Sequence, residues 1–209
     1  MPSLSLALRE HTAAAHRRVE ATPFVRALLS GRLERGAYLL LLRSLHPVYQ
    51  ALETGLHGAP ALAALRDPAL PRGAPLEADL ALLHGPHWRT ELAPRPAAEA
   101  YAAHLAQLAA QAPLLLAAHA YVRYLGDLSG GQLLARAVQR GLGLAGAEGI
   151  AFYRFEQPAA TLAQQLRDAL DRLAPEPPAQ AALLDEALQA FGRHEWLFTE
   201  LQAARRAPG

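Results

Sequence analysis

The stretch Tyr121-Val-Arg-Tyr-Leu-Gly-Asp-Leu-Ser-Gly-Gly-Gln132 lies inside an otherwise strongly helical run from Leu114 to Arg140. Each glycine in a helix interior costs about 1 kcal/mol relative to alanine, so Gly126, Gly130 and Gly131 together forgo on the order of 3 kcal/mol in a chain that uses Ala freely elsewhere. Something must need bare backbone there. Two needs fit: close approach of a flat ligand or of another helix, or a kink that turns the helix over a pocket. Gly126 and Gly130 sit four apart, hence on one face. Taken alone, that spacing favours a small-xxx-small helix contact. The polar neighbours argue for a pocket, because Arg123, Tyr124 and Asp127 beside a bare patch can order water. Arg123 and Asp127 also suit an exposed i,i+4 ion pair.

Outward from this stretch the same period persists. Apolar residues recur at three- and four-residue spacing, as in Leu4, Leu8, Ala15 and Val19, and strand-like alternation is almost absent. The chain reads as all-α. Proline is poorly tolerated inside helices, so the Pro-poor stretches outline them at about 3–20, 32–57, 76–84, 97–112, 114–141, 159–173 and 179–204. Pro47 falls inside one of them and predicts a kink. Gly58 to Pro75 and His84 to Pro96 read as irregular connections, neither long nor polar enough to link domains. A single domain over 1–209 is expected.

Composition narrows the function classes. The 20 basic residues, all Arg, and 19 acidic ones leave a net charge of +1 with no block of charge to grip nucleic acid or an anionic membrane. There is no Cys, so disulfides, thiolate metal sites and Cys nucleophiles are excluded, and any metal must be held by His or carboxylate. No signal-peptide core and no run of membrane-spanning length occurs, which predicts a cytoplasmic protein.

On the first helix Arg9, His16 and Glu20 are spaced by seven and four, and so share one stripe roughly 40° wide. One face thus carries an anion donor, a metal ligand and a carboxylate. A neutral imidazole is a suitable axial ligand for haem iron, and a nearby carboxylate can orient it. A lone His is a weak signal in a chain with nine of them. His11 faces elsewhere and cannot share a metal with His16. Other chemistries lack their contexts: Ser129 has no G-x-S-x-G, the glycines lack a following Lys-Ser/Thr, and His194-Glu195 is not completed as H-E-x-x-H. His84 and His87 are separated by a Gly-Pro turn and carry little weight as a metal pair.

The segment Gly126-Asp-Leu-Ser-Gly-Gly-Gln132 resembles the distal-helix signature of the haem oxygenases. The run from Leu8 through His16 to Glu20 is similar to that family's proximal helix, followed by the aromatic-containing segment Tyr38 to Glu53 and by Phe152-Tyr-Arg-Phe155. The resemblance covers essentially the whole chain. It implies haem b held between an N-terminal proximal helix and a glycine-kinked distal helix, with His16 as the proximal iron ligand and Glu20 beside it. Gly126 and Gly130 would be the backbone over the ring, and Asp127, with Arg123 and Tyr49, the anchor of distal water. Arg9, Tyr121 and Arg167 match positions that hold the propionates, for which a planar guanidinium is well suited. Where the family commonly places another basic residue one turn before Arg167, this sequence has Ala163, which weakens the propionate grip.

The implied reaction opens the haem ring to biliverdin, carbon monoxide and iron, with haem as both substrate and cofactor and O2 as oxidant. No flavin, iron–sulfur or nicotinamide motif is present, so electrons are expected from a ferredoxin or a flavin/NAD(P)H-dependent reductase. A monomer or weak dimer is expected, with no nucleic-acid or membrane partner. The chain stops at Arg205-Arg-Ala-Pro-Gly209 without the membrane-anchoring tail of the animal enzymes, which points to the soluble bacterial type. The alternative is a haem carrier or sensor that keeps His16 without turnover. A plain helical module, with the glycines used for packing, is the further alternative.

Overall fold

A computed structural model describes residues 3–206 of the chain. The helices are α1 (Leu4–Glu20), α2 (Pro23–Leu29), α3 (Arg35–His57), α4 (Gly73–Leu83), α5 (Trp88–Glu91), α6 (Pro96–Gln111), α7 (Leu116–Leu142), α8 (Ala159–Arg172) and α9 (Pro177–Arg206). Short 3-10 turns at Pro60–Leu65, Pro113–Leu115 and Ala151–Tyr153 complete the described residues, among which there is no strand.

Local chemistry explains several boundaries. Pro23 and Pro96 open α2 and α6 at the first helical position, where a missing N–H costs nothing, and Thr22 caps α2 by accepting from the Val25 amide. Gly143 ends α7 in the left-handed conformation at φ 65°, where a Cβ would be strained. Proline spacing alone did not foresee α2, because its seven residues are too short to show a period.

Two expected bends are not marked by any break. Helix α3 continues through Pro47, and α7 remains helical across Gly126, Gly130 and Gly131. In α3 the cost of Pro47 is outweighed by packing, since Leu45, His46, Val48 and Tyr49 around it are all buried.

One connected cluster of buried side chains runs from Leu4 to Leu201 and includes Leu8, Phe24, Tyr38, Tyr49, Tyr101 and Leu197. Helix α3 packs on α6 and α4, α1 lies along α9, and α7 runs against α8 and α9. Carboxylates reach across the chain to hold these pieces. Asp171 of α8 accepts from the Ser5 amide at 2.7 Å and its hydroxyl at 3.0 Å, which puts a negative charge at the N-terminus of α1. Asp79 accepts from the Ala151 and Phe152 amides, both at 2.8 Å, and Glu53 accepts from the Arg72 amide at 2.6 Å.

Candidate haem site

On α7 the two faces of the glycine patch differ. A Cβ built on Gly131 would lie 3.6–3.9 Å from Tyr153, in ordinary packing contact. One built on Gly126 or Gly130 would meet nothing within 4 Å. No helix packs there, so the small-xxx-small reading fails and the bare backbone borders open space. A partly open pocket of about 230 Å³ beside Leu70, Leu162 and Leu166 lies elsewhere and does not touch the patch.

Immediately beside the patch, Asp127 turns the other way. Its carboxylate accepts from the Tyr49 hydroxyl and, at 3.2 Å, from Nη2 of Arg123. The Arg123 Nε donates to Tyr49 Oη at 2.9 Å, and the guanidinium lies 4.9 Å from the centre of the Tyr49 ring. Phe152 closes over Tyr49 edge-on at 5.5 Å. The Arg123–Asp127 pair is therefore no surface pair, since its side chains are only 12% and 8% exposed. Burial pushes the Asp127 carboxyl up, against the opposing pull of Arg123, of the Tyr49 hydrogen bond and of Arg72. The same burial raises the Tyr49 phenol well above its usual range, which keeps it a neutral donor to Asp127.

His194 completes this cluster and was not foreseen as a site residue. Arg123 Nη1 lies 2.7 Å from its Nε2, and its Nδ1 lies 2.7 Å from the Ala190 carbonyl. A guanidinium can only donate and a carbonyl only accept, so His194 carries its proton on Nδ1 and accepts on Nε2. Burial, and then the Arg123 charge, hold its pKa well below the ordinary histidine value. A histidine whose folded pKa is depressed takes up a proton in the unfolded chain first, so its contribution to stability is lost as pH falls below about 6.5. We expect His194→Gln, which keeps an acceptor for Arg123 but cannot titrate, to gain on the natural chain by up to about 1.4 kcal/mol per pH unit below that value. Urea unfolding at pH 7.5 and 5.5 measures this; a pH-independent difference between the two proteins would refute the assignment.

The α1 residues are arranged differently. His16 is 53% exposed, with Nδ1 turned to Glu20 Oε2 at 3.4 Å, which leaves Nε2 free of that carboxylate, and with its ring edge-on to Phe191 at 5.9 Å. Arg9 is also exposed. Helices α1, α7 and α8 come together around Tyr121, whose phenol is raised by burial and lowered by the neighbouring Thr12 and by the charges of Arg167 and Arg9. Arg9 and Arg167, from two other helices, are thus within electrostatic reach of Tyr121, and Thr12 stands one turn before His16. Ala163, one turn before Arg167, is buried, so the positive charge near Tyr121 comes from Arg9 and Arg167.

Comparison with known proteins decides the family. Residues 2–200 match the family described as "Heme oxygenase". The chain belongs to the haem oxygenase family. It is 39% identical over 206 residues to the human protein named "Heme oxygenase 1", covering 95% of this chain and 72% of that one. Against "Heme oxygenase 1" of Synechocystis identity is 36% over 205 residues, covering 96% and 85%. The solved structure of haem oxygenase-1 from Synechocystis in complex with heme superposes with a TM-score of 0.92 at 35% identity, covering 98% of this chain and 94% of that one. Haem oxygenase-2 from the same organism, in complex with heme and NO, gives a TM-score of 0.94 at 33% identity over 98% and 87%. The all-α reading and the family resemblance are both borne out. No helix among the described residues is long and apolar enough to cross a membrane.

Proposed function

We propose that this haem oxygenase, a single domain, binds haem between His16 and the bare Gly126/Gly130 backbone and opens the ring to biliverdin, carbon monoxide and ferrous iron. The observation that carries this is the pair of glycines facing open space next to a largely buried Tyr49–Arg123–Asp127 cluster. The donor set fits the ligand: an exposed imidazole for iron, and cations with a phenol for propionates. Bound haem supplies the iron that binds and activates O2.

The chain's own residues do the rest. His16 would hold the iron through Nε2, with Glu20 beside Nδ1 to bias the ring proton there. Arg9, Tyr121 and Arg167 seat the propionates by charge-assisted hydrogen bonds. With no side chain on Gly126 and Gly130, the helix backbone could approach a bound ring closely and would limit the space above it. Asp127 holds water on the distal side rather than acting as the acid itself, and Tyr49, Arg123 and His194 fix Asp127 in position. Electrons come from a separate ferredoxin or a flavin- or NAD(P)H-dependent reductase, and the protein works as a monomer or weak dimer.

The test is to add one equivalent of haem, then a reducing system in air, and to record the visible spectrum with time. Loss of the Soret band with growth of biliverdin absorption is expected. A stable haem complex with no ring opening would make the protein a carrier, and no complex at all would leave a helical module.

The glycines give a second expectation, because their replacement should stabilise the empty protein and harm the loaded one. Gly130→Ala removes backbone freedom from a helix interior at a position with room for a Cβ, and should raise stability by about 1 kcal/mol. Gly130→Leu should reach into the haem space and weaken haem binding at least about tenfold. Unfolding curves and haem titrations read both. Haem affinity left unchanged by Leu would remove Gly130 from the site.

A further inference from the structure

His104 on α6, His119 on α7 and Glu186 on α9 bring their ligating atoms within 4.8 Å of one another, in a cluster separate from the proposed haem-binding residues. Both imidazoles aim Nε2 at the same carboxylate oxygen, His104 at 2.7 Å and His119 at 2.9 Å. Tyr101 Oη lies 2.8 Å from Nδ1 of His119. His119 is fully buried, whereas the His104 and Glu186 side chains are 19% and 11% exposed, so a small ion can reach the cluster from solvent.

We propose that His104, His119 and Glu186 form a binding site for one divalent transition ion of the zinc class. Two imidazole nitrogens and one carboxylate are a suitable donor set for such an ion, with a further position left to water. With an ion on Nε2, the neutral His119 ring would carry its proton on Nδ1, 2.8 Å from Tyr101 Oη, which would then accept it and turn its own hydroxyl proton aside, as an outer-shell partner of a metal-bound histidine.

Three helices would be tied by the ion. The tie would also lie under the distal cluster, because the Tyr101 ring packs edge-on against His194 at 5.2 Å. Among the described residues no other group of three His, Cys, Asp or Glu is placed to hold an ion in this way.

The experiment uses haem-free full-length protein carrying His16→Ala, so that the exposed histidine of the haem site cannot bind the probe. Titration with Co2+ should give one equivalent of bound ion with visible ligand-field absorption, displaced by Zn2+. Saturating Zn2+, at a hundredfold excess over Kd, should raise the unfolding midpoint by about 5–10 °C. His104→Gln and Glu186→Gln should each weaken Co2+ binding at least about tenfold. Absence of absorption and of any midpoint change overturns the proposal, as does binding that survives undiminished in both variants. If a variant fails to fold, histidine-ring NMR of the His16→Ala protein decides instead: His104 and His119 signals must move on Zn2+ addition, and unmoved signals overturn the site. None of these readouts depends on haem turnover.

Discussion

Asp127→Ala is expected to bind haem within a few-fold of the natural chain and to form biliverdin at least about a hundredfold more slowly. The carboxylate lies on the buried side of α7, bonded to Tyr49 and Arg123, and is absent from the open face formed by Gly126 and Gly130. Removing it leaves the residues that hold the ring in place. What disappears is the acceptor that fixes distal water, and with it the controlled delivery of protons. A second cost follows, because Arg123 loses a partner inside the protein. Breaking a buried charge pair costs about 3–5 kcal/mol, so Ala should also lower stability. Asp127→Asn separates the two effects: it keeps volume and one acceptor oxygen, should recover much of the stability and should remain impaired in ring opening. The measurement is biliverdin yield from a preformed haem complex. Normal yield from Asp127→Ala would remove Asp127 from catalysis.

His16→Ala should show the opposite division. The side chain is 53% exposed and makes only a long contact to Glu20 and an edge-on contact to Phe191, so stability should change by no more than about 0.5 kcal/mol. Haem affinity should fall sharply. Losing an outer-shell partner of a metal-bound histidine typically costs 10–100-fold, and losing the ligand itself should cost at least as much. Imidazole added to the variant should restore the Soret position, since it supplies the missing nitrogen without a tether. Haem binding and spectrum unchanged in His16→Ala would assign the iron to another residue. Glu20→Gln should give a smaller spectral change, because it alters only the polarisation of Nδ1.

These expectations differ because a structural contact and a chemical role are separable at one residue and fused at the other. Asp127 does both, so its conservative variant is needed. His16 barely touches the fold, so one substitution suffices. His194 shows why part of the site escaped notice: its neighbour Glu195 invites a metalloprotease reading that fails, and nothing in its own segment indicates that Arg123, 71 positions away, donates to it.

The sequence by itself determined what helical periodicity can carry: an all-α chain, a stripe of Arg9, His16 and Glu20 on one helix, and a costly row of glycines with Asp127 beside them. Those relations hold within a few turns, and 3.6 residues per turn determines them before any packing occurs. Only the tertiary structure decided what each face meets. It turned Gly131 onto Tyr153 and Gly126 and Gly130 onto open space, and it buried an Arg123–Asp127 pair that spacing alone could have left in water. It also brought Asp171 to Ser5, Asp79 to Ala151 and Glu186 to His104 and His119. Such contacts join residues tens of positions apart, and their energies depend on burial and distance, which exist only once helices have packed.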